Sequence, residues 1–126
     1  MNHEKPESWD EVLSSHRPNV VAAARAIQTV ILEELPGVVV HFDRGNGLLA
    51  LGTSSAMQDL LFALIPHAGW LNLQLADGAV LPDPEGRIEG TGKRIRHVKL
   101  RSADAAADPA VRAIVRAQVA FHGRRD

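Results

Sequence analysis

Four short apolar segments, Val38 to Asp43, Leu48 to Thr53, Leu60 to Ile65 and Trp70 to Leu75, follow one another with turn residues between them, and this run constrains the fold more than any other feature. Segments of that length bounded by Gly, Asn, Asp and Ser read as strands. Arg44-Gly45-Asn46-Gly47 predicts a hairpin turn between the first two, and Ala76-Asp77-Gly78-Ala79 ends the fourth. The third stays open on pattern alone. Ser54 to Ile65 could equally start a helix at Ser55, because a short apolar run does not separate the two states by periodicity.

Helical patterns flank this run. Ser8-Trp9-Asp10-Glu11 has capping-box spacing, so a short helix is expected from Ser8 toward Ser15. Pro18 opens a longer one in which Val20, Ala24, Ile27, Ile31 and Leu35 recur at helical spacing until Pro36-Gly37 stops it. Beyond the fourth segment, a fifth strand is expected from Arg96 to Arg101, with Val98 and Leu100 alternating with His97, Lys99 and Arg101. Asp108-Pro109 then predicts an N-cap and first-turn proline, Val111, Ile114, Val115 and Val119 a buried stripe, and Gly123 the end of a C-terminal helix.

Helices, then strands, then a helix predict an α+β fold: an antiparallel sheet of about five strands with N-terminal helices and a C-terminal helix, rather than a βαβ dinucleotide-binding arrangement. The chain's 126 residues suit one domain, with its core over about residues 18–122 and residues 1–7 and 124–126 expected to be flexible. Leu48 to Leu51 and Leu60 to Ile65 are apolar on both sides, so the sheet's second face needs a helix, a cavity or another subunit over it. A homodimer is one expectation.

Composition narrows the function. A net charge of −1 gives no global attraction to nucleic acid or anionic membrane, and with three Phe, two Trp and no Tyr there is little for base stacking. No apolar run reaches the roughly 18 to 20 residues that span a bilayer, and Met1-Asn2-His3-Glu4-Lys5-Pro6 is too polar for a signal peptide, so the cytoplasm is the expected address. The absence of cysteine removes thiol nucleophiles, disulfides and thiolate metal sites. Ser54 and Ser55 have no G-x-S-x-G context, and nothing places Glu85 and Glu89 around a substrate as an acid and base. No catalytic residue is assigned.

The segment Leu81 to Arg101 concentrates the remaining signal. Six of the fourteen Lys and Arg residues lie between Arg87 and Arg101 against one acid, Glu89, after two prolines and among three glycines. Gly-Thr-Gly-Lys lacks P-loop spacing, and Arg94 stands where a magnesium-binding hydroxyl would be needed, so nucleotide hydrolysis is not expected. A glycine-shaped loop running into a basic strand can still hold an anion: Gly90, Thr91 and Gly92 would aim N–H groups while Lys93, Arg96, His97 or Lys99 neutralises it. The bland alternative pairs those cations with Asp83, Glu85, Glu89 and water. Asn72 and Gln74 share one strand face, which meets His97, Lys99 and Arg101 if the fourth and fifth strands pair, giving either a pocket or the wet side of a sheet.

Leu-Pro-Asp-Pro-Glu-Gly, Glu-Gly-Thr-Gly-Lys-Arg and Ile-Arg-His-Val-Lys-Leu-Arg-Ser together resemble the signature of the YdhG-like family, a domain of unknown function, over about Val20 to Phe121. Trp70-Leu71-Asn72-Leu73 resembles that family's fourth-strand segment, whereas Val39-Val40-His41-Phe42-Asp43 replaces a Trp-Gly-x-Pro-like stretch common in it. The resemblance implies a compact α+β fold with an antiparallel sheet, and favours a strand at Leu60 to Ile65. Because some relatives are discussed as frataxin-like iron chaperones, it also implies an alternative function.

Iron would need exposed carboxylates, for which Glu4, Glu7, Asp10, Glu11, Glu33 and Glu34 are the candidates. The first four also suit the positive end of a helix dipole. His41, His67 and His97 could supply a metal site only by tertiary convergence, since no H-x-x-x-H or H-E-x-x-H spacing exists. The sequence reading is therefore a non-catalytic module for a small anionic ligand, without a resident cofactor. Its candidate residues are Gly90, Thr91, Gly92, Lys93, Arg96, His97, Lys99, Asn72 and Gln74.

Overall fold

In the computed structural model, which describes residues 5–125, the first helix, α1 (Trp9–Ser14), begins where the capping signal predicts. The Ser8 hydroxyl accepts the Glu11 N–H at 3.1 Å, and the Glu11 carboxylate accepts the Glu7 N–H at 2.6 Å, one residue earlier than in the usual reciprocal box. Pro18 opens α2 (Pro18–Glu34), which buries Val20, Ala23, Ala24, Ile27, Val30 and Ile31. Gly37, at φ +84°, then turns the chain into the sheet.

Among the described residues the sheet has six strands: β1 (Val39–Asp43), β2 (Leu48–Gly52), β3 (Leu60–Pro66), β4 (Leu71–Leu75), β5 (Ile88–Glu89) and β6 (Arg96–Leu100). Their order is β1-β2-β3-β4-β6-β5, antiparallel throughout. At the β1–β2 hairpin the Asp43 carboxylate accepts the Asn46 N–H at 3.1 Å and the Asn46 side-chain amide at 2.9 Å. Those bonds hold the Asp43 carboxyl below its usual range.

The segment left open on pattern alone is a strand. Before it stands a single 3-10 turn, Met57–Asp59, because Ser54 closes a local turn by accepting the Ala56 N–H at 3.0 Å and donating to Asp59 at 2.8 Å. A bulge at Leu51 and Gly52 lets β3 pair from Leu60 onward, and Gly52 must be glycine there because a Cβ would collide with the Asp59 carbonyl.

Three features differ from the sequence reading. The strand count is six rather than about five: β5 is only two residues long, set at the edge by the Asp83 carboxylate, which accepts the Arg87 and Ile88 N–H groups at 2.7 and 2.9 Å. A five-residue helix, α3 (Ala103–Ala107), is capped by the Ser102 hydroxyl and is too short and alanine-rich to show periodicity. The last helix, α4 (Pro109–Arg125), starts as predicted, with Asp108 accepting the Ala110 N–H at 2.8 Å, but does not stop at Gly123. A glycine ends a helix by turning left-handed, and Gly123 keeps a negative φ.

The helices lie over one face of the sheet. There Leu49, Leu51, Phe62, Leu64, Leu71, Leu73, Leu75, Val98 and Leu100 form one buried cluster with α1, α2 and the Val111, Ile114, Val115 stripe of α4. The α2–α4 contact is closed by ion pairs: Glu34 meets Arg112 at 2.9 Å and Arg116 at 2.8 Å, and Glu33 meets Arg112 at 2.7 Å. Among the described residues no helix is long and apolar enough to cross a membrane. The expected flexibility of residues 1–4 and 126 lies outside the described residues.

Candidate functional site

Among the described residues, no helix lies over the opposite face of the sheet. Side chains alternate along strands, so the register that sends Leu73 and Val98 to the helices sends Asn72, Gln74, His97 and Lys99 to the open face. β4 does pair with β6, placing Asn72 beside Lys99 and Gln74 beside His97. One cross-strand row runs His41, Ala50, Ala63, Gln74, His97, Glu89 from one sheet edge to the other. Two alanines at its centre leave room above the sheet.

That room is a groove of about 610 Å³. Its floor is apolar, built from Leu48, Ala50, Leu60, Ala63 and Ala76, and its polar lining includes Gln74, Arg94, His41 and Asp43. Met57, from the loop before β3, and Ile95, just before β6, stand on its rim 83% and 53% exposed. Apolar side chains of that size and exposure suit a surface that something covers.

The sequence-predicted residues separate into groups. At one end of the open face, Asn72 is already engaged: its side-chain oxygen accepts the Trp70 indole N–H at 2.9 Å and its amide lies 3.2 Å from His67 Nε2. Trp70 stacks on His67 with ring centres 4.9 Å apart, and Lys99 Nζ lies 4.9 Å from the centre of the Trp70 ring and 3.8 Å from Glu89. Gln74 and His97 have no side-chain hydrogen bond to any described residue. Gly90, at φ +113°, lies against the His97 ring.

Arg96 is not part of the open face. It pairs with Leu75, so its side chain leaves on the helix side, packs beside Gly78 and donates from Nε to the Gly92 carbonyl at 3.0 Å. Gly92 has no positive φ; it is glycine because a Cβ would meet the Ile95 carbonyl. Lys93 and Thr91 are exposed in the loop. Part of the basic charge follows the bland alternative, since Arg87 pairs with Glu85 at 3.6 Å and Asp108 at 3.0 Å.

The residue that pattern reading missed is Arg94. Its Nε donates to Asp77 Oδ1 at 2.9 Å, while Gln118 of α4 donates to Asp77 Oδ2 at 2.9 Å and accepts the Asp77 N–H at 2.8 Å. Asp77 and Gln118 are buried. The guanidinium is thereby fixed at the groove with its two terminal nitrogens free of hydrogen bonds to described residues. A signal existed: Gln118 sits at helical spacing from Ile114 and Val115, a polar residue where the stripe calls for an apolar one.

The metal candidates do not gather. Among the described residues no three His, Asp or Glu side chains are grouped so as to hold a metal ion. Glu7 pairs with Arg44, Asp10 with Arg25, and Glu33 and Glu34 with the α4 arginines; Glu4 lies outside the described residues. Side-chain hydrogen bonds from Arg116 and Arg112 hold the Glu34 carboxyl down to about 2. His122 on α4 places Nε2 3.3 Å from Asp59 and 3.4 Å from Thr53. Comparison of the chain with protein families, curated proteins and solved structures gives no significant match.

Proposed function

We propose that this chain is a YdhG-like, cytoplasmic domain that binds a small anionic ligand without transforming it, and that the ligand sits on the open face of the sheet. One observation carries the reading: β4–β6 pairing lays Gln74, His97 and Lys99 on a face that no helix among the described residues covers, beside an apolar groove. Concave, mostly apolar sites with a few convergent polar groups are the usual form of a small-molecule site. Gln74, His97, Lys99 and Arg94 can donate hydrogen bonds to an anion, on the side of the face away from the Asp43 carboxylate of β1. Lys93 and Gly90 extend the donor set along the loop.

The test is a thermal-shift and calorimetric screen of inorganic phosphate and carboxylates. A ligand selective for the native state raises stability by RT ln(1 + [L]/Kd). Gln74→Leu and His97→Ala should each weaken the ligand found, and added salt should weaken it further. Retention of full affinity in both variants refutes the placement.

Exposed Met57 and Ile95 favour a second reading, in which two copies cover each other's open faces. Light scattering at micromolar concentration distinguishes a monomer from such a homodimer.

A further inference from the structure

Resting on the reading that the open face binds a small anion, we propose that the ligand is an amphipathic carboxylate, its head group received by Arg94 and Gln74 and its apolar tail laid over Ala50 and Ala63. Among the described residues that line the groove, Arg94 is a cation whose orientation is fixed from behind. Asp77 holds Nε, Gln118 holds Asp77, and the free end of the guanidinium offers two parallel N–H donors to a planar, two-oxygen acceptor. A carboxylate matches that fork.

Asp77 also offsets the positive charge of Arg94, so net charge alone would draw anions only weakly. The discriminating contribution must come from the tail. Ala50 and Ala63 are direct cross-strand neighbours on the open face, and Leu48 and Leu60 continue the apolar floor. The exposed side chains of Met57 and Ile95 flank it and can fold over an alkyl or aryl chain. Met is suited to this because its unbranched thioether adapts to irregular shapes. Gln74, lying between the alanines and His97 in the cross-strand row, can donate its amide N–H to the head group.

The experiment titrates the full chain by calorimetry with inorganic phosphate, acetate, hexanoate, octanoate and octylamine. Octanoate is expected to bind more tightly than hexanoate by about tenfold, since each buried methylene is worth about threefold to fourfold, while acetate and octylamine bind weakly or not at all. Ala63→Leu fills the floor and should abolish octanoate binding with the fold intact. Arg94→Gln, which keeps a donor for Asp77, and Gln74→Leu should each cost about tenfold or more. Equal binding of phosphate, acetate and octanoate, unaffected by Ala63→Leu, overturns the amphipathic assignment while leaving anion binding on the loop and strand. Absence of binding by every probe removes both readings. Octanoate binding that survives Arg94→Gln and Gln74→Leu overturns the head-group assignment, and a dimer that Ala63→Leu dissociates without any ligand bound gives the groove to a second copy instead.

Discussion

Arg94 and Asp77 form an ion pair that joins the surface to the interior: at 2.9 Å, a guanidinium side chain 57% exposed meets a carboxylate 3% exposed. The carboxylate's other oxygen and its backbone N–H are both taken by Gln118. The C-terminal helix thus holds, through Asp77, the orientation of a residue that lines the groove. Gln118 is conspicuous only because burial makes each of its hydrogen bonds obligatory.

Gln118→Leu should therefore destabilise more than its apolar gain returns, by about 3 kcal/mol, because it removes two buried hydrogen bonds to Asp77, one of them to its carboxylate. Arg94→Ala should cost less, since water reaches the vacated side of Asp77. Urea unfolding of both variants checks the order, and a Gln118→Leu protein as stable as the parent refutes it.

The pairing of Glu34 with Arg116 and Arg112 predicts an acid-sensitive contact between α2 and α4. The folded carboxyl lies at about 2 against an ordinary 4.5, so its contribution is present above the unfolded value and lost as pH falls from about 4.5 toward 2. Because Arg116 is largely exposed, the gain is on the order of 1–2 kcal/mol, below what the shift alone implies. Glu34→Gln should lower Tm at pH 6 and flatten its fall below pH 4. An unchanged Tm at pH 6 refutes the contribution. The same substitution is a test of the iron alternative, which requires Glu34 to be available to metal.

Much of the fold was legible because it is written in local signals. Ser8, Pro18, Pro36-Gly37, the Asn46-Gly47 hairpin and Asp108-Pro109 each act within a few residues, and the structure uses each where the pattern puts it. The third strand escaped pattern because its identity depends on pairing with β2 and β4, a non-local fact. β5 is two residues long and depends on pairing with β6 and on the two N–H groups that Asp83 accepts, and Gly123 continues the helix. The site was half legible. Alternation predicts that Asn72 and Gln74 share a face with His97, Lys99 and Arg101 if the fourth and fifth strands pair, a condition that β4 and β6 meet. The same alternation sends Arg96 to the other side, which a count of clustered cations does not reveal. Arg94 required knowing that Asp77 and Gln118, 41 residues apart, are in contact.

Gly52 and Gly86 should respond differently to alanine. A Cβ on Gly52 collides with backbone, the Asp59 carbonyl that also accepts the Thr53 N–H at 3.0 Å, so relief requires moving the bulge. The expected cost is about 2–3 kcal/mol, as for other forced backbone shifts. Gly86 has open space around it and only its φ of +67° to accommodate, which costs about 1 kcal/mol. Chemical denaturation that ranks Gly86→Ala as the more damaging would refute the steric account of the bulge.

Lys93 and Lys99, equivalent in a charge count, should separate on substitution. Lys93 makes no ion pair with a described residue, so Lys93→Ala should change stability by no more than about 0.5 kcal/mol. Lys99 lies over Trp70 and near Glu89, and a cation over an aromatic face at a partly exposed site contributes about 0.5–1 kcal/mol. Lys99→Ala should lose about that much and alter Trp70 fluorescence, whereas Lys99→Arg, which can also stack on the ring, should retain the stability. If Lys93→Ala is the more destabilising, the loop cation has a structural role that its exposed position does not account for.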